Sequence, residues 1–230
     1  MIYFTGDMHG DSARIGRGAL RNIAEGDTLI VCGDFGFIWN NSRQEHRLLE
    51  KLSKRNIRVL FVDGTHENFN VLGGLPVVDY CGGKVHRITD NIYHLLRGQI
   101  YEIEGKTVFA FGGGENPDLE LQNDEELTEN RPEVPTKAEM LEGISNLEAC
   151  GYRVDYIVTH EPPAGIRDFL TLSENRTAPV SAIGAYLDEL AQQAEFSRWF
   201  FGSLHMDKFI STSFICVFEN IIEAATGRSV

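Results

Sequence analysis

Two aspartates and four histidines fall directly after short apolar runs. Asp7 and His9 follow Ile2–Thr5, Asp34 follows Thr28–Cys32, His66 follows Val59–Val62, His160 follows Val154–Thr159, and His205 follows Arg198–Phe201. Glycine stands shortly before four of these groups, at Gly6, Gly33, Gly64 and Gly202, where it permits tight turns and close backbone approach. Imidazole with carboxylate suits Zn, Fe, Mn or Ni better than Ca or Mg. Two carboxylates with several imidazoles also invite a pair of ions bridged by one Asp. Without a cation, Asp7 and Asp34 in one cleft would repel each other.

For these residues to meet, the apolar runs must be strands whose carboxyl ends share one edge, the place where parallel α/β sheets bind ligands. Ile2–Thr5, Thr28–Cys32 and Val59–Val62 read as buried strands rich in β-branched and aromatic residues. Between the first two, the spacing predicts a helix from about Asp11 to Ala24, with Ile15, Ala19, Leu20 and Ile23 on one face. Between the next two it predicts a helix over Ser42–Lys54, opened by the capping pair Ser42 and Glu45. Strand alternating with helix implies a parallel sheet with right-handed crossovers.

Further on, Ile100–Ile103 and Thr107–Phe111 flank Glu104-Gly105-Lys106 as a hairpin, and Gly112-Gly113-Gly114 ends its second strand. Thr136 with Glu139 opens a helix to about Cys150, and a strand over Val154–Thr159 stops at Pro162-Pro163. A helix over Ser181–Ala194 and strands over Arg198–Phe201 and Ser213–Phe218 complete the pattern. No repeat or linker divides the chain. It reads as one α/β domain over residues 1–230, with an irregular acidic excursion around 115–135 interrupted by Pro117, Pro132 and Pro135.

The chain has 230 residues, of which 42% are hydrophobic, and a net charge of −13. That composition supports a sizeable core and excludes wholesale disorder. The charge disfavours long nucleic acid and anionic membranes as partners. It is unevenly placed, however. Residues 115–133 carry a net of −7, whereas the first sixty residues carry +2. Small phosphoesters therefore stay open as substrates, because a bound cation inverts the local field. Cys32, Cys81, Cys150 and Cys216 show no metal or disulfide spacing and read as reduced, mostly buried thiols. With no signal-like or membrane-length apolar run, a cytoplasmic location is expected.

Gly6-Asp7-Met8-His9-Gly10, Gly33-Asp34, Gly64-Thr65-His66-Glu67, Thr159-His160 and Gly202-Ser203-Leu204-His205 resemble the ordered motifs of the calcineurin-like metallophosphoesterases. Those motifs are G-D-x-H-G, G-D, G-N-H-D/E, a lone His, and G-H-x-H. Each alone is weak, but the five occur in order over nearly the whole chain. The resemblance implies a sandwich of two mixed β-sheets flanked by helices. It implies hydrolysis of a phosphoester, as a phosphatase or phosphodiesterase, with one or two divalent transition metal ions (Mn, Fe, Zn or Ni). Asp7, His9 and His205 would bind the first metal, Asp34 would bridge, and His160 would bind the second. A metal-bound hydroxide would attack in line, and His66, off the metals, would protonate the leaving oxygen. The expected partner is a small phosphoester or phosphoprotein.

Two departures bear on the second ion. Thr65 stands where the family has Asn, and Ser203 where it has His. The second site is expected to be weakened, since a neutral hydroxyl is a poor ligand and Asn68 could replace the amide only in a rebuilt loop. The alternative reading is a weakened family member serving as a binding or regulatory module. Glu67 is the candidate to orient His66. Arg14 reads as a solvated helix face, Phe37 and Trp39 as core, and His46 as a surface or packing residue. His86 and His94 receive no role.

Overall fold

The computed structural model describes residues 1–16, 18, 20–115, 131–172 and 180–230. Most of the acidic excursion lies outside the described residues. Thirteen strands form two sheets among those described. The first sheet contains β1 (Ile2–Thr5), β2 (Thr28–Cys32), β3 (Arg58–Val62), β4 (Val77–Tyr80), β5 (Gly83–Arg87), β6 (Ile92–Leu95) and β13 (Ile222–Glu223). The second contains β7 (Gln99–Ile103), β8 (Lys106–Phe111), β9 (Tyr156–Thr159), β10 (Arg198–Phe201), β11 (Lys208–Phe209) and β12 (Phe214–Cys216). Their orders are β13-β1-β2-β3-β6-β5-β4 and β11-β12-β10-β9-β8-β7.

Each sheet has a parallel centre, β1-β2-β3-β6 in one and β8-β9-β10-β12 in the other, and antiparallel strands at the margins. Both are mixed sheets, as the motif resemblance implies. The two sheets pack face to face. Because side chains alternate along a strand, Phe4, Ile30 and Leu60 point inward to meet Val108, Val158 and Phe200. The Phe4 and Phe200 rings stack across this seam with centroids 3.9 Å apart. The other faces are buried too. Leu29, Val31 and Phe61 pack under the segment after β1 and under α1 (Arg43–Ser53). Phe109, Ile157 and Trp199 pack under α3 (Lys137–Ala149), α4 (Ala164–Thr171) and α5 (Ala182–Gln193). Burial on both faces explains the continuous apolar runs of the central strands. A short α2 (Phe69–Gly73) follows the His66 loop.

Several elements follow local rules. Thr136 and Glu139 form a complete capping box at the start of α3. Ser42 accepts from the Glu45 amide at the start of α1, but the Glu45 carboxylate turns back to the amides of Asn40 and Asn41 instead of Ser42. The described residues of the expected helix over Asp11–Ala24 form successive turns instead. Arg14 donates to Asp11, Gly16 to Ala13, and Ile23 to Leu20, each across three residues. Gly16 and Gly18 disfavour helix, and the Asp11 side chain accepts from the Ala13 amide at 2.8 Å, a local bond that competes with helix. The apolar face survives without the helix, since Ile15, Leu20 and Ile23 are all buried.

Candidate metal centre

The two sheets place the carboxyl ends of β1, β2, β3, β8, β9 and β10 along one edge. The loops after β1 and β2 are tied together by His9 N–H to Asp34 O at 2.8 Å and Gly10 N–H to Phe35 O at 3.0 Å. Asp7 (φ 38°), His9 (φ 48°), Asp34 (φ 48°), Ser203 (φ 67°) and His205 (φ 46°) all adopt left-handed backbone. That conformation is costly for residues other than glycine and persists where surrounding structure over-determines it. Two glycines make room for the cluster. A Cβ on Gly33 would stand 2.1 Å from His160 Nδ1, and one on Gly64 would stand 2.0 Å from Asp34 Oδ1.

Among the described residues, Asp7, His9, Asp34 and His205 offer ligand atoms that all lie within 4.8 Å of one another. The Nε2 atoms of His9 and His205 are 3.0 Å apart. Two nitrogens about 2.1 Å from one ion at adjacent octahedral positions lie about 3 Å apart, so this pair fits a single cation. Asp7 and Asp34 are buried and His9 and His205 are exposed, which gives a polar floor open on one side. Burial and the Asp34 charge push the Asp7 carboxyl up, against His160 and the Ser203 amide. Burial also pushes Asp34 upward, but His160 and His66 overcome it and hold that carboxyl below its ordinary value. Burial, helped by His205 and His66 and opposed by Asp34, moves His9 down toward the neutral form a ligand needs. A donor set of two imidazoles and two carboxylates, one of them costly to ionise alone, fits a divalent transition metal.

His160 approaches from the buried side. Its Nδ1 is 3.6 Å from Asp7 Oδ1 and its Nε2 3.9 Å from Asp34 Oδ1, but it is not one of the four converging residues. Nδ1–H donates to Cys32 O at 3.1 Å, which leaves Nε2 as the free ligand nitrogen. Asp34 and Asp7 raise His160 against the effect of burial. His66 sits at the other side of Asp34. Its amide donates to Asp34 Oδ1 at 2.8 Å, and its Nδ1 lies 3.0 Å from Asp34 Oδ2 and 3.1 Å from Thr65 Oγ1.

Several readings change here. Glu67 does not orient His66. Its buried carboxyl accepts from the amides of Phe35 (2.7 Å) and Gly36 (3.4 Å), and burial together with the Asp34 and Asp63 charges pushes it up to about 8. Asn68 caps α2 through the Val71 amide and donates to Trp39 O, so its amide is committed elsewhere. Phe37 is core, but Trp39 is 49% exposed. Cys32 and Cys216 are buried, Cys81 is half-buried and Cys150 is exposed. Arg14 is no solvated helix face, because its guanidinium donates to four oxygens around the Asp7 loop. His46 is exposed, as expected.

Sequence reasoning missed a buried network behind the His66 loop. Asp63 accepts from Arg97 Nε (3.0 Å), Arg97 Nη2 (2.5 Å) and His94 Nε2 (3.2 Å), and His94 Nδ1 lies 3.0 Å from His86 Nδ1. Arg97 also reaches Glu139 and the carbonyls of Pro132 and Glu133. Buried Glu161, next to His160, accepts from the Glu115 amide at 2.7 Å and pairs with Arg167 at 3.0 Å. Asp63 follows β3 directly and Glu161 lies two residues beyond β9, which was the available signal.

A two-sheet sandwich thus gathers carboxylates and imidazoles at one edge, where they could hold a metal ion. The family model for calcineurin-like phosphoesterases matches residues 1–207, and the chain belongs to that family, whose members are metal-dependent phosphoesterases. No curated protein matches the chain at a significant level. Among the described residues, no helix is long and apolar enough to cross a membrane.

Proposed function

We propose that the chain hydrolyses a small phosphoester or phosphoprotein, with Asp7, His9 and His205 holding one divalent metal, Asp34 shared, and His160 facing a second. The observation that carries this reading is the convergence of four ligand atoms on one point at the sheet edge. When bound, a divalent ion lowers the pKa of its water from 15.7 to about 7 and neutralises charge on phosphoryl oxygens.

The chain's own residues orient and move protons around that centre. The Ser203 amide donates to both Asp7 oxygens, at 3.1 and 3.0 Å, and fixes the carboxylate plane. His66 donates Nδ1–H to Asp34, which leaves Nε2 to carry the proton that passes to the leaving oxygen. Its side chain is 56% exposed and accessible to a substrate. A second ion would have only Asp34 and His160 to hold it. Thr65 Oγ1 is engaged with the His66 ring, Asn68 is committed, and Ser203 replaces an imidazole. One tightly held ion and one weakly held ion follow. Four free cysteines support a reducing, cytoplasmic setting.

The test is metal content after dialysis against Mn²⁺, with turnover of p-nitrophenyl phosphate and bis-p-nitrophenyl phosphate with and without chelator. Chelator-sensitive turnover with one tightly retained ion is expected. Two tightly retained ions would overturn the weak second site. No turnover with any metal would favour a binding or regulatory module instead.

A further inference from the structure

We propose that Arg14 is a positioning residue that sets the metal-bearing loops of the two sheets against each other, acting on His205 through Phe218. The inference rests on Asp7, His9 and His205 being metal ligands. Arg14 Nη1 donates to Gly6 O at 2.7 Å and Asp7 O at 3.0 Å. Its Nη2 donates to Thr5 Oγ1 at 2.7 Å and to Phe218 O. Gly6 and Asp7 follow β1 of the first sheet, whereas Phe218 follows β12 of the second. One guanidinium therefore joins the two sheets beside the metal centre.

Phe218 is held from several sides. Its carbonyl also accepts from the Gly6 amide at 3.2 Å and Thr5 Oγ1 at 3.1 Å. Its amide donates to Asp207 Oδ1 at 2.8 Å, and the same carboxylate takes the amides of Glu219 and Asn220. The Phe218 ring lies on the His205 ring with centroids 4.9 Å apart and planes 22° apart. The Arg14 guanidinium carbon is 5.6 Å from the Phe218 ring centroid. Asp7 and His205, at the two ends of this chain of contacts, both have left-handed backbone. Such conformations need holding from outside. Arginine does this with a planar fork of fixed donors, which a lysine ammonium does not reproduce.

Charge and positioning predict opposite signs. Arg14 is a cation beside a cation site, so Coulomb repulsion alone makes metal binding tighter when its charge is removed. Positioning makes it weaker. We would measure Mn²⁺ affinity by electron paramagnetic resonance of the free ion, with Zn²⁺ in parallel by a competing indicator. The variants are Arg14→Met, Arg14→Lys and Phe218→Leu, and near-ultraviolet circular dichroism of each metal-free protein reports the fold. Supporting mutations around metal ligands cost about 10–100-fold in affinity, and a loss of at least about tenfold is expected for both Arg14 variants. Phe218→Leu keeps the backbone bond to Arg14 and removes only the ring, so it is expected to weaken binding too. Combined with Arg14→Met it should give less than the product of the two losses. A Leu52→Ala variant, which removes core packing under α1 and no hydrogen bond of the site, should bind Mn²⁺ as the wild type does.

Wild-type affinity or tighter binding in Arg14→Met and Arg14→Lys would overturn the inference. So would an equal loss in Leu52→Ala, which would reduce Arg14 to general stability. If the wild type bound neither ion, the metal reading itself would fall and take the inference with it.

Discussion

Replacing Arg97 by Met tests whether the charged network behind the His66 loop holds that part of the fold. Arg97 and Asp63 are both buried, with two donors from the guanidinium on Asp63 Oδ2 at 3.0 and 2.5 Å. Burial alone would push the Asp63 carboxyl up, but the Arg97 charge and the His94 hydrogen bond overcome it and hold the group well below its ordinary 3.8. Methionine fills similar space but leaves the carboxylate with His94 as its remaining side-chain partner, takes the guanidinium donor from the Pro132 carbonyl, and leaves the Glu133 carbonyl to the Gly114 amide. Breaking a buried pair from one side costs about 3–5 kcal/mol. For a domain of this size that is a drop of roughly 10 °C in melting temperature.

The sign of the pH dependence follows from the depressed carboxyl. Its contribution is present above the unfolded value near 3.8 and is lost as pH falls through the folded one. In Arg97→Met the carboxyl rises, so lowering the pH lets the variant neutralise its stranded charge, and its deficit shrinks. Urea unfolding of both proteins in chelator, at pH 7.5 and pH 4, measures this without contribution from bound metal. A deficit below about 1 kcal/mol, or one equal at the two pH values, would refute the reasoning.

His66→Gln should lower turnover of a substrate with a poor leaving group by about 10²–10⁴-fold while leaving metal content unchanged; loss of metal in this variant would place His66 among the ligands. Thr65→Asn combined with Ser203→His should raise the Mn²⁺ retained after dialysis, and flat turnover at higher occupancy would show that the second ion does not limit the rate. Glu67→Gln should change the melting temperature at pH 7 by less than about 3 °C, because the amide oxygen keeps the 2.7 Å bond from Phe35 and only the long 3.4 Å bond from Gly36 is lost; a drop of 10 °C would show that a charged carboxylate is required there.

What could be read from residue order alone was local and repetitive. Central strands buried on both faces announce themselves as unbroken apolar runs, as in Thr28–Cys32 and Tyr156–Thr159. Thr136 with Glu139 marks a helix start because its reciprocal bonds span only three residues. The hairpin of β7 and β8 turns at Glu104-Gly105, both with left-handed φ. Strands β4 and β5 escaped notice because their burial is partial and alternating, with exposed Val77 and Lys84 in the pattern. The segment after Asp11 kept a helical spacing but not a helix, because glycine and a side-chain bond to the backbone outweigh periodicity where the apolar face can be buried by turns.

For the site, sequence determined which residues arrive at strand ends, since Asp7, His9, Asp34, His66, His160 and His205 each follow an apolar run within a few positions. It did not determine how they are shared. That His9 faces His205, that His160 donates to Cys32 from below, and that Asp63 is neutralised by Arg97 depend on pairs 196, 128 and 34 residues apart. The same holds for Arg14, whose reach to Phe218 spans 204 residues. Contacts of that range exist only once two sheets have packed on a common seam and brought their carboxyl ends to one edge. The chemistry of the donors is written in residue type, whereas the geometry that lets them share one cation is a property of the packed sheets.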